Sequence, residues 1–426
     1  MPEPKPELFG VRLRSALQPI LSLSHRRVIG YEGLLRGTDT STDAFVPPGQ
    51  LFHKAESIGA LTSLERTSQR LHVESFHHRL PEPAPMWLFL NVSPRLISEE
   101  SYRDLLPEVL EARGMAGHQI VVELLEDGDD GSRGLAEAVT YFRELGCLVA
   151  LDDFGTGHSN FQRLWELEPD LVKLDRSLIV RATESPGRNK LRRILPNLVA
   201  LIHEAGSLVV MEGIESEDQA LIAMDADVDF VQGFHFAYPE TGPVSRRAGV
   251  EPLRQVTERF TNQALASVGQ EQAAIQPYVR SFLRAAIHLQ GSGDLEDSCR
   301  DLLGLDRVQR CYLLNERGEQ VGPHLTRSAD EPSAQSDPRH RPLVDTVGGT
   351  WLRRPYFRDA LMEPRRLKVS RPYLSSTGSH VCVTLSVAEQ SRRDGSHYVF
   401  CCDLLWWDRP EAGRHLAAGF GAGSDR

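Results

Sequence analysis

The chain has 426 residues, enough for a large barrel of roughly 250 residues and a second, smaller module. Hydrophobic residues make up 40% and charged residues 25% of the chain, which excludes a wholly disordered or collagen-like protein. The net charge of −11 argues against broad, nonspecific binding to DNA or to an anionic membrane surface. It still permits a phosphate-bearing ligand that metal ions hold.

The cysteines and the N-terminus indicate the compartment. There are six cysteines, of which Cys401 and Cys402 are adjacent, and their spacing suits neither a zinc site nor a disulfide framework. The N-terminal run MPEPKPELFG has no apolar signal core, and no stretch approaches the ~20 apolar residues of a membrane span. We expect a soluble, cytoplasmic protein with reduced structural thiols. A redox role for Cys401 and Cys402 is the less favoured alternative.

Eight short β-like segments alternate with amphipathic helical stretches in the first half of the chain. This alternation implies parallel strands with crossover helices, and eight such units predict a closed (β/α)8 barrel. The link SHRRV between the first two segments is too short for a crossover helix, so we expect an antiparallel first strand pair. The predicted strands are residues 17–23, 31–37, 87–93, 120–126, 148–154, 171–178, 208–215 and 230–236.

The pattern changes near residue 240. Apolar residues at steps of three and four between 253 and 286 predict one or two amphipathic connector helices. Beyond residue 300, CYLLNERGEQVG and the run from Val381, with its Asp-Gly turn, predict β-hairpins. The stretch ADEPSAQSDPRHRP is expected to be a mobile loop. The predicted domains are a barrel over 8–247, a helical connector over 248–290 and an α+β domain over 291–410.

Carboxylates and amides recur at the carboxyl ends of the predicted strands, which meet at one mouth of a parallel barrel. A charge within an apolar strand is costly unless it is paired or binds a metal. Any one of these residues could be a rim charge or half of a buried ion pair. Five carboxylates from successive strands would repel one another severely without cations. The residues at the strand ends are Glu32, Asn91, Glu123, Asp152, Asp153, Lys173, Glu212 and Gln232.

Oxygen donors without cysteine or histidine favour Mg²⁺ or Mn²⁺. Asp152 and Asp153 point to opposite faces of a regular strand, but at a strand end the chain can turn, so both can reach a metal pair. Two metals ~3.5–4 Å apart are a common arrangement for cleaving phosphodiesters. Two nearby dications would lower the pKa of Lys173 and let it orient or deprotonate a water. A plain salt bridge to an aspartate is the alternative for Lys173.

The motifs taken together resemble the EAL-domain phosphodiesterases, which hydrolyse cyclic di-GMP to the linear dinucleotide pGpG. The resemblance covers roughly residues 8–245, with separate motifs in the expected order, and it also implies the barrel with an antiparallel first strand pair. The motifs are QPI (18–20), EGLLR (32–36), NVSP (91–94), ELLE (123–126), LDDFGTG (151–157), VKLD (172–175), EGIE (212–215) and QGF (232–234).

The resemblance implies two Mg²⁺ or Mn²⁺ ions in the active site. The residues implied as metal ligands are Glu32, Asn91, Glu123, Asp152, Asp153 and Glu212. Those implied in catalysis are Lys173, Glu32, Glu212 and Gln232. Substrate contacts fall to Arg36, Gln18 and Leu35, and Glu126 is implied as the anchor of the loop after the fifth strand. In the family this loop couples dimer contacts to metal binding, so a homodimer is expected.

Three departures from the family pattern remove no functional group. The EAL tripeptide reads Glu32-Gly33-Leu34, and the usual AEG reads Met211-Glu212-Gly213. His158 stands where the family often has an aromatic residue or serine, and either tunes loop closure or is simply solvated. We therefore favour a competent enzyme.

The C-terminal segment resembles Cache/PAS-like sensor domains, in which an antiparallel sheet flanked by helices often holds a small ligand. We expect a cytoplasmic regulatory domain that binds an unknown small ligand. A catalytically inactive cyclic di-GMP receptor that signals through this domain is the main alternative. A barrel metalloenzyme of the enolate-forming kind is a weaker one, because Asn91, the Asp152–Asp153 pair and Arg36 suit phosphodiester chemistry better.

Overall fold

The computed structural model divides the chain into two compact units, Met1–Thr261 and Asn262–Arg426. The predicted subdivision into a barrel, a connector and a C-terminal domain is finer than this and stays a prediction. Among the described residues, no helix combines the length and the apolar character needed to cross a bilayer. The structure describes residues 6–80, 85–98, 100–124, 131–155, 160–184, 188–326, 346–375 and 381–406.

The first unit contains an eight-stranded closed barrel, which confirms the predicted fold class. Its strands follow the order β2, β3, β5, β6, β7, β8, β9 and β10, and β10 pairs with β2 to close it. The strands of the unit are β1 Glu7–Leu8, β2 Val11–Ser22, β3 Arg27–Asp39, β4 Phe45–Val46, β5 Trp87–Val92, β6 Ile120–Leu124, β7 Leu148–Phe154, β8 Leu171–Leu174, β9 Leu208–Met211 and β10 Phe230–Val231.

One strand of the barrel runs against the others. β2 is antiparallel to both β3 and β10, whereas every other neighbouring pair in the barrel is parallel. The cause is local, since β2 ends at Ser22 and β3 begins at Arg27, too few residues for a crossover helix. The antiparallel first pair was therefore predicted correctly.

Helices cover the outside of the barrel, and their apolar faces pack against the strands in one large hydrophobic cluster. Polar N-caps start some of them. The Ser216 side chain accepts from the backbone of Gln219, and the Gln219 side chain reaches back to Ser216. The helices are α1 Pro48–Ser57, α2 Leu61–Arg79, α3 Glu100–Arg103, α4 Leu105–Arg113, α5 Gly131–Glu144, α6 Asn160–Leu167, α7 Arg176–Glu184, α8 Arg188–Glu204 and α9 Glu217–Asp225, with 3-10 helices at Pro94–Ser98 and Gly117–Gln119.

Three strands end well before their predicted last residue. β8 stops at Leu174 rather than residue 178, because the Asp175 side chain accepts from the backbone of Ser177 and starts α7 there. β9 and β10 stop at Met211 and Val231, short of residues 215 and 236. The chain beyond them forms the irregular turns of the barrel mouth.

A single helix, α10 Val250–Ser292, forms where one or two amphipathic connector helices were expected. It continues through Pro277. In the first unit, Leu253 and Val256 join the outer core of the barrel. In the second unit, residues 275–289 pack on a sheet.

The second unit is built around an antiparallel sheet in the order β12, β11, β16, β15 and β13, with β14 also pairing with β15. One face packs against α10 and α11, and α12 lies on the other. Both predicted hairpins are present. The elements are α11 Leu295–Leu303, β11 Val308–Asn315, β12 Gln320–Thr326, α12 Pro355–Met362, β13 Lys368–Val369, β14 Tyr373–Leu374, β15 Val381–Gln390 and β16 His397–Leu405. The predicted loop over 329–342 lies outside the described residues.

All six cysteines are buried and reduced. Cys401 and Cys402 alternate along β16, so their side chains enter the cores on opposite faces of the sheet. Burial raises the pKa of both thiols, so they stay protonated and unreactive. The packing supports structural thiols rather than a redox pair.

A buried ion pair lies inside the second unit. Asp403 is 1% exposed and accepts from Arg310 Nε at 2.6 Å and from the Thr384 hydroxyl at 2.7 Å. Replacing Asp403 with alanine would leave the Arg310 guanidinium buried without its carboxylate. We expect Asp403→Ala to lower the free energy of unfolding by about 3–5 kcal/mol, measured by urea denaturation.

The matched control is Glu363→Ala, which breaks surface ion pairs with Lys368 and Arg366 in the same unit. We expect little change in the urea midpoint for that variant, because exposed pairs contribute weakly. An Asp403→Ala protein as stable as the wild type would show that the ion pair contributes nothing to folding.

Candidate functional site

The site lies one layer above the innermost core of the barrel. Successive residues of a strand face opposite sides, so residues two apart share the barrel interior. An apolar layer made of Ile20, Phe89, Val121, Ala150, Leu171, Val210 and Phe230 fills the interior, one residue from each of seven strands. Two positions from each of these, at the carboxyl end of the barrel, stand Gln18, Asn91, Glu123, Asp152, Lys173, Glu212 and Gln232.

Lys173 stands at the centre of the polar layer. Its Nζ lies 2.6 Å from an oxygen of Glu123 and 2.6 Å from an oxygen of Glu212. Asp152 Oδ1 is 3.3 Å away and Glu32 Oε1 is 3.9 Å away. Lys173 is 1% exposed and Glu123 is 0% exposed, so the two groups meet away from bulk solvent. Four strands thus bring carboxylates around one ammonium group.

Glu32 is held by amides from both sides. Asn91 Nδ2 donates to Glu32 Oε1 at 3.1 Å, and Gln232 Nε2 donates to Glu32 Oε2 at 2.6 Å. The same Gln232 nitrogen lies 3.3 Å from Gln18 Oε1, and Gln18 donates to the carbonyl of Ala237. This chain of amides leaves the Glu32 carboxylate with a single orientation.

Asp153 joins the site because β7 is irregular at its end. The register of β7 against β8 shifts between Leu151 and Phe154, and Asp153 has a φ of 53° in the left-handed region. A non-glycine residue with such a φ is strained, and strain of this kind concentrates at functional sites. Oxygens of Asp152, Asp153 and Glu212 all lie within 4.8 Å of one another. The bulge therefore turns both adjacent aspartates toward one point.

Burial and mutual repulsion set the protonation of this layer. Burial, with Glu32 next, raises the pKa of Glu123 well above its usual range. Burial raises the pKa of Glu212 to about 8, although Lys173 opposes this. For Lys173, burial alone would lower the pKa, but the surrounding carboxylates outweigh it and hold the pKa well above the ordinary value. The chain by itself therefore keeps Lys173 charged; the predicted fall in pKa requires added cations.

The donor set fits divalent metal ions. Glu123 Oε2 and Gln232 Oε1 are buried and receive no hydrogen bond from the part of the chain that the structure describes. Unpartnered buried oxygens are costly, and a cation would compensate for them. All the candidate ligands are carboxylate or amide oxygens, the ligands that Mg²⁺ and Mn²⁺ prefer. One lysine cannot neutralise five carboxylates.

A cavity of about 540 Å³ opens beside the carboxylate layer. Asn91 lines it, as do Leu35 and Arg36, two of the predicted substrate contacts. Burial lowers the pKa of Arg36 and Glu32 opposes this, yet the guanidinium stays charged at neutral pH. The cavity thus carries the Arg36 cation and the Asn91 amide at its wall, together with apolar side chains, which suits an anionic ligand with apolar parts.

Sequence reasoning missed the polar wall of this cavity. Helix α2 presents Glu65, Ser68 and His72, all buried, to the cavity. The available signal was the spacing of these polar side chains, which recur at steps of three and four residues and so share one face of the helix. The apolar spacing of this stretch predicts the helix, but these polar residues were not interpreted as part of a site. Glu126 and His158 lie outside the described residues, so their predicted roles stay predictions.

Comparisons with known proteins agree with this geometry. The EAL domain family matches residues 10–239. YkuI of Bacillus subtilis, an uncharacterized EAL-domain containing protein, is 24% identical over 82% of this chain and 84% of its own length. The cyclic di-GMP phosphodiesterase RocR of Pseudomonas aeruginosa is 26% identical over 52% of this chain, but the match spans only 56% of RocR.

The crystal structure of YkuI, in complex with substrate c-di-GMP and calcium, has a TM-score of 0.76 to this chain. It covers 92% of this chain and 96% of that chain at 22% identity. This likeness establishes a shared fold over both units.

Proposed function

The chain belongs to the EAL domain family, and from this premise we propose that it is a metal-dependent phosphodiesterase that hydrolyses cyclic di-GMP to linear pGpG. The observation that carries the proposal is the convergence of four carboxylates within 4 Å of Lys173 Nζ, beside a cavity walled by Arg36. The activity named for RocR supports the substrate. The calcium in the YkuI complex supports divalent metal use.

We propose two Mg²⁺ or Mn²⁺ ions as cofactors. The first would be held by Glu32, Asn91, Glu123 and Asp152, and the second by Asp152 and Asp153 with support from Glu212. Bound there, the ions would activate water and stabilise the charge that develops on the phosphate oxygens. The oxygens of Asp152, Asp153 and Glu212 already lie close enough to share a cation.

The protein's own groups orient the reactants. The Lys173 ammonium, held by Glu123 and Glu212, donates hydrogen bonds toward the attacking water and keeps it in place. Gln232 Oε1, which receives no hydrogen bond from the described residues, accepts a hydrogen bond from the same water. In-line attack by the water oxygen forms a new P–O bond and breaks the bond to the ribose 3′-oxygen. The proton that the water loses ends on that 3′-oxygen, so the reaction balances with one water consumed.

Arg36 and the cavity supply binding. The guanidinium is the charge that attracts the substrate phosphate, and Leu35 offers apolar surface for the nucleoside. Gln18 is also proposed as a substrate contact. Its side-chain oxygen accepts a hydrogen bond from Gln232, which also donates to Glu32. The net charge of −11 makes such a local cation necessary for an anionic substrate.

Metal exchange tests the proposal. Protein stripped with a chelator is expected to lose turnover, and Mg²⁺ or Mn²⁺ to restore it, measured as pGpG formed from cyclic di-GMP. Ca²⁺ should permit cyclic di-GMP binding without turnover, because its looser coordination positions water poorly.

The inactive-receptor alternative predicts a different outcome for the same assay. A receptor binds cyclic di-GMP and yields no pGpG with any of the three ions. The intact set of candidate ligands favours the enzyme. Full activity in chelator-stripped protein would contradict both the metal-dependent enzyme and the inactive receptor.

The second unit completes the proposal as a regulatory domain. Its antiparallel sheet with helices on both faces supports the Cache/PAS-like assignment. The small ligand, the homodimer and the cytoplasmic location remain predictions from the sequence.

A further inference from the structure

Gly33, the central residue of the tripeptide in which Glu32 stands, is in contact with a buried histidine. The φ of Gly33 is not in the left-handed region, so its backbone conformation does not require glycine. Space requires it. The Cβ of an alanine at position 33 would lie 2.7 Å from Cγ and 2.9 Å from Nδ1 of His72. Real Cβ atoms essentially never come this close to such atoms.

His72 fills the space that the glycine leaves, and its ring connects three elements. His72 Nδ1 lies 2.7 Å from the Ser15 hydroxyl of β2, and Nε2 lies 3.0 Å from the Ser68 hydroxyl of its own helix. The ring covers Gly33 of β3. The side chain is 4% exposed, and burial lowers its pKa to about 3, so the imidazole is neutral. It therefore acts as a fixed spacer rather than as a charge.

The position of β3 matters because this strand carries Glu32 and Arg36. Glu32 is adjacent to Gly33 and Arg36 lies three residues further along the strand, so a displacement of the backbone at Gly33 would displace both. The metal centre requires Glu32 within reach of Asn91 and Gln232, whose amides hold it at 3.1 and 2.6 Å. A shift of β3 of a few tenths of an ångström would disturb these contacts.

We propose that His72 is a positioning residue for the metal centre: its imidazole, packed against Gly33, sets the position of the β3 backbone and thereby of Glu32. Gly33 and His72 form a matched pair, so alanine at position 33 is compatible with this chain only when the ring is absent. The proposal rests on the metal site of the proposed function. Its substrate plays no part in it.

A double-mutant cycle tests the pair with Gly33→Ala, His72→Ala and the double variant. The readout is Mn²⁺ affinity by calorimetry on protein without nucleotide, with kcat and KM as a second measurement. Each single variant is expected to bind Mn²⁺ about tenfold more weakly, the size of effect seen when a supporting partner of a metal ligand is lost.

The double variant should recover most of that affinity. Of the three atoms nearest to the new methyl group, the Cβ of residue 72 alone remains once the ring is absent, at 3.0 Å, and a small shift relieves that contact. The methyl group also fills part of the space that the ring leaves. If His72→Ala alone does not fold, Gly33→Ala is compared directly with the double variant, because only the loss of the ring relieves the close contact with the new methyl group.

The control is His203→Ala, which removes another bonded histidine of the barrel. His203 Nε2 lies 2.8 Å from Asp229, whose carboxylate also accepts from the backbone of Val209 at the start of β9. This variant should lower the Tm and leave Mn²⁺ affinity unchanged.

Two results would overturn the proposal. One is single variants that lower the Tm but keep wild-type Mn²⁺ affinity, which would make His72 a purely structural residue. The other is losses that simply add in the double variant. A wild-type protein that does not bind Mn²⁺ would instead refute the proposed metal site.

Discussion

Asp152→Asn is expected to lower turnover of cyclic di-GMP by about 10³-fold, the upper range for removing one electrostatic contact at a reacting centre. The substitution keeps the shape of the side chain and removes its charge. Asp152 Oδ1 is buried, 3.3 Å from Lys173, and lies in the cluster that Asp153 and Glu212 complete. An amide nitrogen in place of an oxygen would turn a metal ligand into a donor, which a cation repels. The measurement is kcat with saturating Mn²⁺.

Asp170→Asn is the matched control for that variant. Asp170 Oδ2 accepts from the backbone of Val149 at 2.8 Å, near the start of β7 and at the opposite end of the barrel from the carboxylate layer. This variant should keep its kcat, even if its Tm falls. Wild-type kcat in Asp152→Asn would remove Asp152 from the metal site and with it the bridging role proposed for this residue.

Lys173→Met is expected to lower kcat by about 10²-fold, the lower range for a group that positions or transfers a proton in the transition state. The metal-free protein should also lose about 3–5 kcal/mol of unfolding free energy, since the variant removes the cation that lies within 4 Å of four carboxylates. Mn²⁺ should raise the Tm of this variant more than that of the wild type. Binding of the ion to the folded state would offset the repulsion among the carboxylates that Lys173 no longer neutralises.

Lys54→Met is the control for the lysine. The Lys54 ammonium donates to the carbonyl of Phe9 at the protein surface, far from any carboxylate layer. We expect its kcat and its Mn²⁺-dependent Tm shift to match those of the wild type. Lys173→Met with undiminished kcat would show that the lysine is only a partner of the carboxylates and does not act on the water.

Most of the site was within reach of sequence reasoning because the barrel is regular where the site is built. Six of the strands carry an apolar residue that faces the interior and a polar one two positions later, as with Val121 and Glu123 or Leu171 and Lys173. Period-two alternation places both on the same side of a strand. Parallel strands then bring their carboxyl ends together, whatever the loops between them contain.

The charge state of Lys173 could not be derived in the same way. Burial lowers the pKa of a lysine, and neighbouring carboxylates raise it, so the outcome depends on distances that a sequence does not contain. Two contacts of 2.6 Å decide it in favour of the ammonium. The sequence did not show the pairing of Gly33 with His72 either. The glycine suggested added backbone freedom, whereas in the structure it leaves room for the imidazole ring.

The sequence alone determined the order of the strands and the antiparallel first pair, since hydrophobic periodicity and loop length are local properties of the chain. It also determined which polar residues gather at one mouth of the barrel: Glu32, Asn91, Glu123, Asp152, Lys173, Glu212 and Gln232. Only the tertiary structure decided that Asp153 turns inward and that His72 reaches β3 from helix α2. A bulge arises from how two strands fit, and close packing arises from residues far apart in the chain, so neither has a periodic pattern to reveal it.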